Sequence, residues 1–197
     1  MNKFEIKELF TRHNYIMKTS DLNDNGVTKN KIMEYLNLGY IQRCKKGYYI
    51  YNENKLSDLE LLNMLLPNCV ISLESGLFYY GYTTAKPDTW NIAVERDISR
   101  SKLKFLNPEK KITYLSKNLI TEGVITVEIG NVAIKIFDRD RLIVECIYFE
   151  SKLSKSDYKS ALSNYIIDEN KSSDKLLEYS KLRNVEHKVM NILGNWI

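Results

Sequence analysis

The stretch TKNKIMEYLNLGYIQRCKKGYYIY, from Thr28 to Tyr51, decides how the first part of this chain is read. Thr28 has the hydroxyl of a good N-cap, and Lys29 to Leu38 follows helical periodicity up to Gly39. A short strand, Tyr40 to Cys44, then runs into a basic tip of Lys45, Lys46 and Gly47, and a tyrosine-rich strand returns from Tyr48 to Tyr51. At 100° per residue, Ile32, Tyr35 and Leu36 fall on one side of the helix. Asn30, Met33, Glu34 and Asn37 fall on the other, flanked by Lys29 and Lys31.

Upstream, Phe4, Ile6, Leu9 and Phe10 form an apolar stripe over residues 3–12. Thr19 or Ser20 can cap a second short helix to about Asn25, and Gly26 supplies a tight turn. Helix, helix, turn, helix and hairpin is the order of a winged helix-turn-helix. The inner face of its third helix would pack on Leu9, Phe10 and Leu22. In that reading Thr28, Lys29, Asn30, Lys31 and Asn37 face a major groove, where Asn pairs with adenine and Lys reaches guanine or phosphate. Arg43, Lys45 and Lys46 meet the phosphate backbone or minor groove. Charge points the same way. Residues 1–56 hold 10 basic and 6 acidic side chains, whereas residues 57–197 hold 19 of each. A localised basic excess suits a polyanion such as double-stranded DNA, because neutralised phosphates release counterions.

Past residue 56 the pattern changes. Ser57 caps an apolar helix stopped by Pro67, Cys69 to Ile71 reads as a short strand, and Ser72 opens a helix of small and aromatic residues. Strands follow at Trp90 to Glu95, Ile112 to Leu115, Val124 to Ile129 and Val132 to Phe137, the last two joined through Gly130-Asn131. Helices are expected from Arg139 to Phe149, from Ser154 or Ser156 to Ile167, and over 173–193. The expected fold class is therefore α+β: an N-terminal winged helix-turn-helix domain over 1–56, then a mixed α+β domain over 57–197 with its helices grouped at the end. The boundary falls between residues 53 and 84, because the helix that Ser57 caps fits either side.

With 197 residues, of which 44% are hydrophobic and 27% charged, the chain can bury about 70% of its unfolded surface. Eight Gly and three Pro exclude a collagen-like or low-complexity chain. No apolar run spans a membrane, and the charged start MNKFEIKELF is no signal peptide, so the cytoplasm is the expected compartment. Three widely spaced cysteines, Cys44, Cys69 and Cys146, fit free thiols in a reducing compartment.

Catalytic and metal chemistry finds little support. Asp21 to Gly26 imitates the start of an EF-hand loop, but the twelfth position is Ile32, which cannot coordinate calcium. Asp138-Arg139-Asp140 after a strand could be the carboxylate pair of a metal-dependent transferase, yet the two acids are better explained as a helix cap and a first-turn acid. His13 and His187, in different domains, make no Ser-His-Asp or Cys-His arrangement by spacing. No CxxC pair and no phosphate-cradling glycine loop occurs, so no enzyme activity, metal or cofactor is expected. A second basic cluster remains. Arg96, Arg100, Lys102, Lys104, Lys110, Lys111 and Lys117 face only Asp97 and Glu109. It reads either as a second nucleic-acid surface or as a solvated strand edge protected by lysines.

Three stretches together resemble the AbiEi family of antitoxins from abortive-infection, type IV toxin–antitoxin systems: Thr28 to Tyr51, VISLESGLFYYGY from Val70 to Tyr82, and Gly130 to Ile167. Each motif is common alone; their order in a chain of this length carries the likeness. Asp140 stands where Glu is usual in the family. The resemblance implies an N-terminal domain that binds inverted repeats in its own promoter and represses the operon, and a C-terminal domain that contributes antitoxicity. It implies a separately encoded nucleotidyltransferase-like toxin, countered without a stable complex. The chain would be a monomer or weak dimer, cooperative on DNA. The alternative is a one-component winged-helix regulator whose C-terminal domain senses a ligand or partner.

Overall fold

A computed structural model describes residues 2–53, 56–105, 107–130 and 132–196. The architecture is mixed α+β, with helices and two sheets. The chain divides into two compact units, Met1–Leu66 with Ser99–Pro108, and Pro67–Ile98 with Glu109–Ile197.

The first unit contains α1 (Lys3–Arg12), β1 (Ile16–Lys18), α2 (Thr19–Asp24), α3 (Lys29–Asn37), β2 (Ile41–Lys45), β3 (Tyr48–Tyr51) and α4 (Asp58–Leu65). Asn2 and Glu5 form a capping box that starts α1, and Ser57 with Glu60 forms another that starts α4. The helix that the sequence leaves assignable to either side, α4, clusters here. One core gathers Ile6, Leu9 and Phe10 of α1, Leu22 of α2, Val27 of the turn, Ile32 and Tyr35 of α3, and Ile41, Tyr49 and Tyr51 of the sheet. Burying side chains of this size contributes about 1.5–3 kcal/mol each. The strand order is β1-β3-β2, all antiparallel, so the expected hairpin is the larger part of a three-stranded sheet. The sequence reading misses β1. Three residues are too few to show alternation, and the chain enters them through Asn14 and Tyr15, both at positive φ.

The second unit contains β4 (Val70–Ile71), α5 (Leu73–Tyr79), β5 (Trp90–Glu95), β6 (Lys110–Leu115), α6 (Lys117–Thr121), β7 (Val124–Ile129), β8 (Val132–Phe137), α7 (Arg139–Tyr148), α8 (Lys155–Ile166), α9 (Ser173–Leu182) and α10 (Glu186–Leu193). Its sheet runs β6-β5-β4-β8-β7; β5/β6 and β4/β8 are parallel, β4/β5 and β7/β8 antiparallel. Alternate strand residues Val70, Ala93, Leu115, Phe137 and Val124 share one face and pack with Leu77, Leu142, Tyr165, Leu176 and Val189 from the helices. α5 and α7 approach closely because Gly76 has no side chain: a Cβ there would lie 2.8 Å from Leu142 Cδ1. The helical segment expected over 173–193 is broken in two at Asn184, which takes the left-handed conformation (φ 55°) that Asn tolerates. The expected turn at Gly130-Asn131 has Gly130 at φ 62°, while Asn131 lies outside the described residues. Among the described residues no helix is long and apolar enough to cross a membrane.

Candidate nucleic-acid interface

α3 is placed by its buried side. Ile32 and Tyr35 join the core with Leu9, Phe10 and Leu22, as the periodicity predicts, and Leu36 packs partly against it. The turn before it closes through Val27 N–H donating to Leu22 O at 2.9 Å, with Gly26 at φ 77°. Thr28 caps the helix: its hydroxyl oxygen accepts from Lys31 N–H at 3.4 Å, so Thr28 shapes the helix start as well as lying at its mouth. Lys29, Asn30, Glu34 and Asn37 are exposed, Lys31 is half-buried, and Met33 is 47% exposed in the middle of that face.

The β2–β3 hairpin carries the next group of cations. Arg43 pairs with Tyr49 and Lys45 with Tyr48, with a register shift between the two pairs. The hairpin tip is tied down, because Gly47 O accepts from Thr19 N–H at 2.8 Å at the start of α2. Aromatic faces support the charges: Arg43 lies 5.7 Å from the Tyr49 ring centre, and Lys45 and Lys18 lie 5.2 and 5.8 Å from that of Tyr48. Lys18 is thus a member of this cluster that sequence reasoning missed, because β1 itself gave no periodic signal.

The structure divides the second basic cluster of the sequence between the two units. Arg100, Lys102 and Lys104 belong to the first, where Arg100–Leu103 form a 3-10 turn. That segment is joined to the hairpin by a bridge between Phe105 and Lys45 and by Lys45 Nζ donating to Lys102 O at 2.8 Å. Arg43, Cys44, Lys45, Lys46, Lys104 and Phe105 line a shallow cleft of about 370 Å³. Burial pulls the Lys45 ammonium below its ordinary value; the Lys102 charge acts in the same direction, and Cys44 opposes it. Arg96, Lys110 and Lys111 lie in the second unit, where Lys111 pairs with Glu74 at 3.2 Å. Counted by unit, the first holds 13 basic and 8 acidic residues (+5) and the second 16 and 17 (−1). Among the described residues, no carboxylate forms an ion pair with Lys29, Lys31, Arg43 or Lys46.

The second unit holds its charges differently. Glu145, fully buried, accepts from Arg141 Nε at 3.0 Å and lies 2.8 Å from Arg183 Nε. Arg141 also donates to the carbonyls of Glu122 and Leu119, at 3.2 and 2.9 Å. Gly123 permits this: it sits at φ 69°, and a Cβ there would lie 2.7 Å from Arg141 Cβ. Asp138 caps α7 through Arg141 N–H and accepts from Tyr179 Oη at 3.0 Å. Asp140 accepts from Tyr165 Oη at 2.8 Å and Ser172 N–H at 2.9 Å; burial pushes its carboxyl above the ordinary value, and the Ser172 bond partly offsets this. Both aspartates are therefore engaged in holding helices together. Among the described residues no group of three or more His, Cys, Asp or Glu side chains is arranged to hold a metal ion. His13 closes α1, His187 is exposed on α10, and Cys146 is buried with its thiol pushed up by burial.

No protein-family model matches this chain, and no curated protein matches it. Solved structures do. One is the crystal structure of the RV2827C protein from Mycobacterium tuberculosis, at a TM-score of 0.67 and 13% identity, covering 89% of this chain and 69% of that one. At that identity the likeness concerns the fold.

Proposed function

We propose that the chain is a DNA-binding transcriptional autorepressor and the antitoxin of a type IV toxin–antitoxin system. The observation that carries the DNA-binding half is the exposed face of α3. It sits in a unit of net charge +5 whose hairpin cations rest on tyrosine rings and continue into Arg100, Lys102 and Lys104. Read as a winged helix-turn-helix, α3 enters the major groove of an inverted repeat in the chain's own promoter. Lys29, Asn30, Lys31 and Asn37 face bases or phosphates, with Thr28 at the helix mouth. Arg43, Lys45, Lys46 and, newly, Lys18 hold the backbone. The antitoxin half is supported by the AbiEi-like order of motifs. The second unit would act against a nucleotidyltransferase-like toxin without a stable complex.

The test is a gel-shift titration on the duplex upstream of this protein's start codon, with an unrelated duplex of equal length as control, at two salt concentrations. Preferential binding that survives physiological salt is expected. Equal, salt-sensitive binding to both duplexes, or none, contradicts the repressor reading. Co-expression with the neighbouring toxin gene tests the other half: growth is restored without co-purification. A mixed-charge cleft of about 340 Å³ in the second unit, lined by Glu74, Thr83, Lys86, Asp88 and Lys111 among others, favours a second reading, a ligand-sensing regulator. That reading requires a small molecule that releases the protein from DNA.

A further inference from the structure

Of the four sheet edges among the described residues, one is unguarded. β1 is three residues long and ends in Lys18. β2 carries Arg43 and Lys45 and an irregular register, and β6 begins with Lys110 and Lys111. Short strands, basic residues and bulges are what keep edges from pairing with other chains. β7, VITVEI, has none of these. It runs in unbroken register against β8 from Val124↔Phe137 to Ile129↔Val132, carries a single charge at Glu128, and exposes Ile125 to 39%.

The ladder fixes which backbone groups that edge offers. Gly123 O accepts from Asp138 N–H at 2.7 Å, so bonded pairs recur at every second residue: Ile125/Ile136, Val127/Ile134 and Ile129/Val132. The N–H and C=O groups of Val124, Thr126 and Glu128 therefore turn away from β8, and among the described residues no backbone group takes them.

We propose that β7 is the interface of a two-fold dimer in which β7 of one copy pairs antiparallel with β7 of a second, centred on Val127. The occupant follows from the residues. With the axis at Val127, Thr126 of one copy lies opposite Glu128 of the other, which are the outward-bonding positions. On the opposite face Ile125 meets Ile129 and Val127 meets Val127, so every pair there is apolar. Moving the axis to Glu128 sets two carboxylates against each other, and moving it to Thr126 sets Val124 against Glu128. A two-fold contact must be self-complementary; of these three registers only the Val127 one is so throughout, and an axis at Ile125 would pair only Val124 to Thr126 of the strand. The product is a continuous ten-stranded sheet, closed at the axis.

Sedimentation of the full chain without DNA, across a concentration series, tests this, so its failure leaves the DNA reading standing. The unaltered chain forms a dimer. Thr126→Glu, facing Glu128 of the other copy twice, raises the dissociation constant about tenfold, and Thr126→Lys lowers it comparably. Adding Glu128→Lys to Thr126→Glu restores the dimer. Folding cannot mimic this pattern, because within one chain Thr126 faces Lys135 of β8. There Thr126→Glu is the favourable neighbour and Thr126→Lys the unfavourable one, and melting curves report that opposite order. A chain that stays monomeric throughout, a dimer indifferent to these charges, or a dimer weakened by Thr126→Lys overturns the proposal.

Discussion

The N-terminal unit leaves Lys29, Arg43 and Lys46 at the surface, whereas the C-terminal unit folds Arg141 and Arg183 inward. Lys29, Arg43 and Lys46 are exposed, without ion pairs among the described residues, and belong to a unit of charge +5. Arg141 and Arg183 are buried around one carboxylate, Glu145, and Arg139 pairs with Asp168 at 2.6 Å, in a unit of charge −1. Removing a guanidinium from water costs several kcal/mol unless charge and hydrogen bonds replace the solvent, and the second unit supplies both. Arg139, Arg141 and Arg183 are thus committed to the fold. Lys29, Arg43 and Lys46 of the first unit are uncommitted, unlike Lys3 and Lys7, which pair with Glu53, and Lys45, which donates to Lys102 O; uncommitted cations are what bind a polyanion in a salt-dependent way.

The contrast can be broken at several points, in decreasing order of effect on stability. Glu145→Ala leaves Arg141 and Arg183 buried without their carboxylate and lowers the stability of the second unit by about 3–5 kcal/mol in a denaturant titration. Gly123→Ala forces a side chain into Arg141 from a left-handed backbone, at about 1–3 kcal/mol in the same assay. Asp168 acts through pH. Burial pushes its carboxyl up, but hydrogen bonds from Tyr82 and Asn170 and the charge of Arg139 outweigh this and hold it below 3.8. Its contribution is therefore present above 3.8 and is lost as pH falls through the lower folded value. Asp168→Asn flattens the stability–pH profile in that acid window and leaves its shape above it unchanged. Smallest in stability are Arg43→Ala and Lys46→Ala, within about 0.5 kcal/mol of the parent.

How much of this was legible in sequence differs between the same two regions. The helices and hairpin of the first unit follow from capping residues, glycines and 3.6-residue periodicity. Ile32 and Tyr35 are buried, and Met33 exposed, where the periodicity puts them. The cluster around Tyr48 was only half legible. Lys18 lies on a strand too short to declare itself, and Lys45 donates to the backbone carbonyl of Lys102 across 57 residues of chain, a contact made by tertiary folding alone. In the second unit the strands and most helices were legible, and Asp138 caps α7 as its position suggests. The arginine cluster was not. Arg141 and Glu145 look like an ordinary surface pair at i, i+4, and nothing local shows that Arg183 and Gly123 close around them.

The central claim is that the uncommitted cations of the first unit bind DNA. The direct measurement is the salt dependence of affinity for the upstream duplex, compared between the parent and Lys29→Ala/Arg43→Ala/Lys46→Ala. The account predicts a slope of log K against log salt shallower by about three in the variant, with melting unchanged. Equal slopes in the two proteins would contradict it.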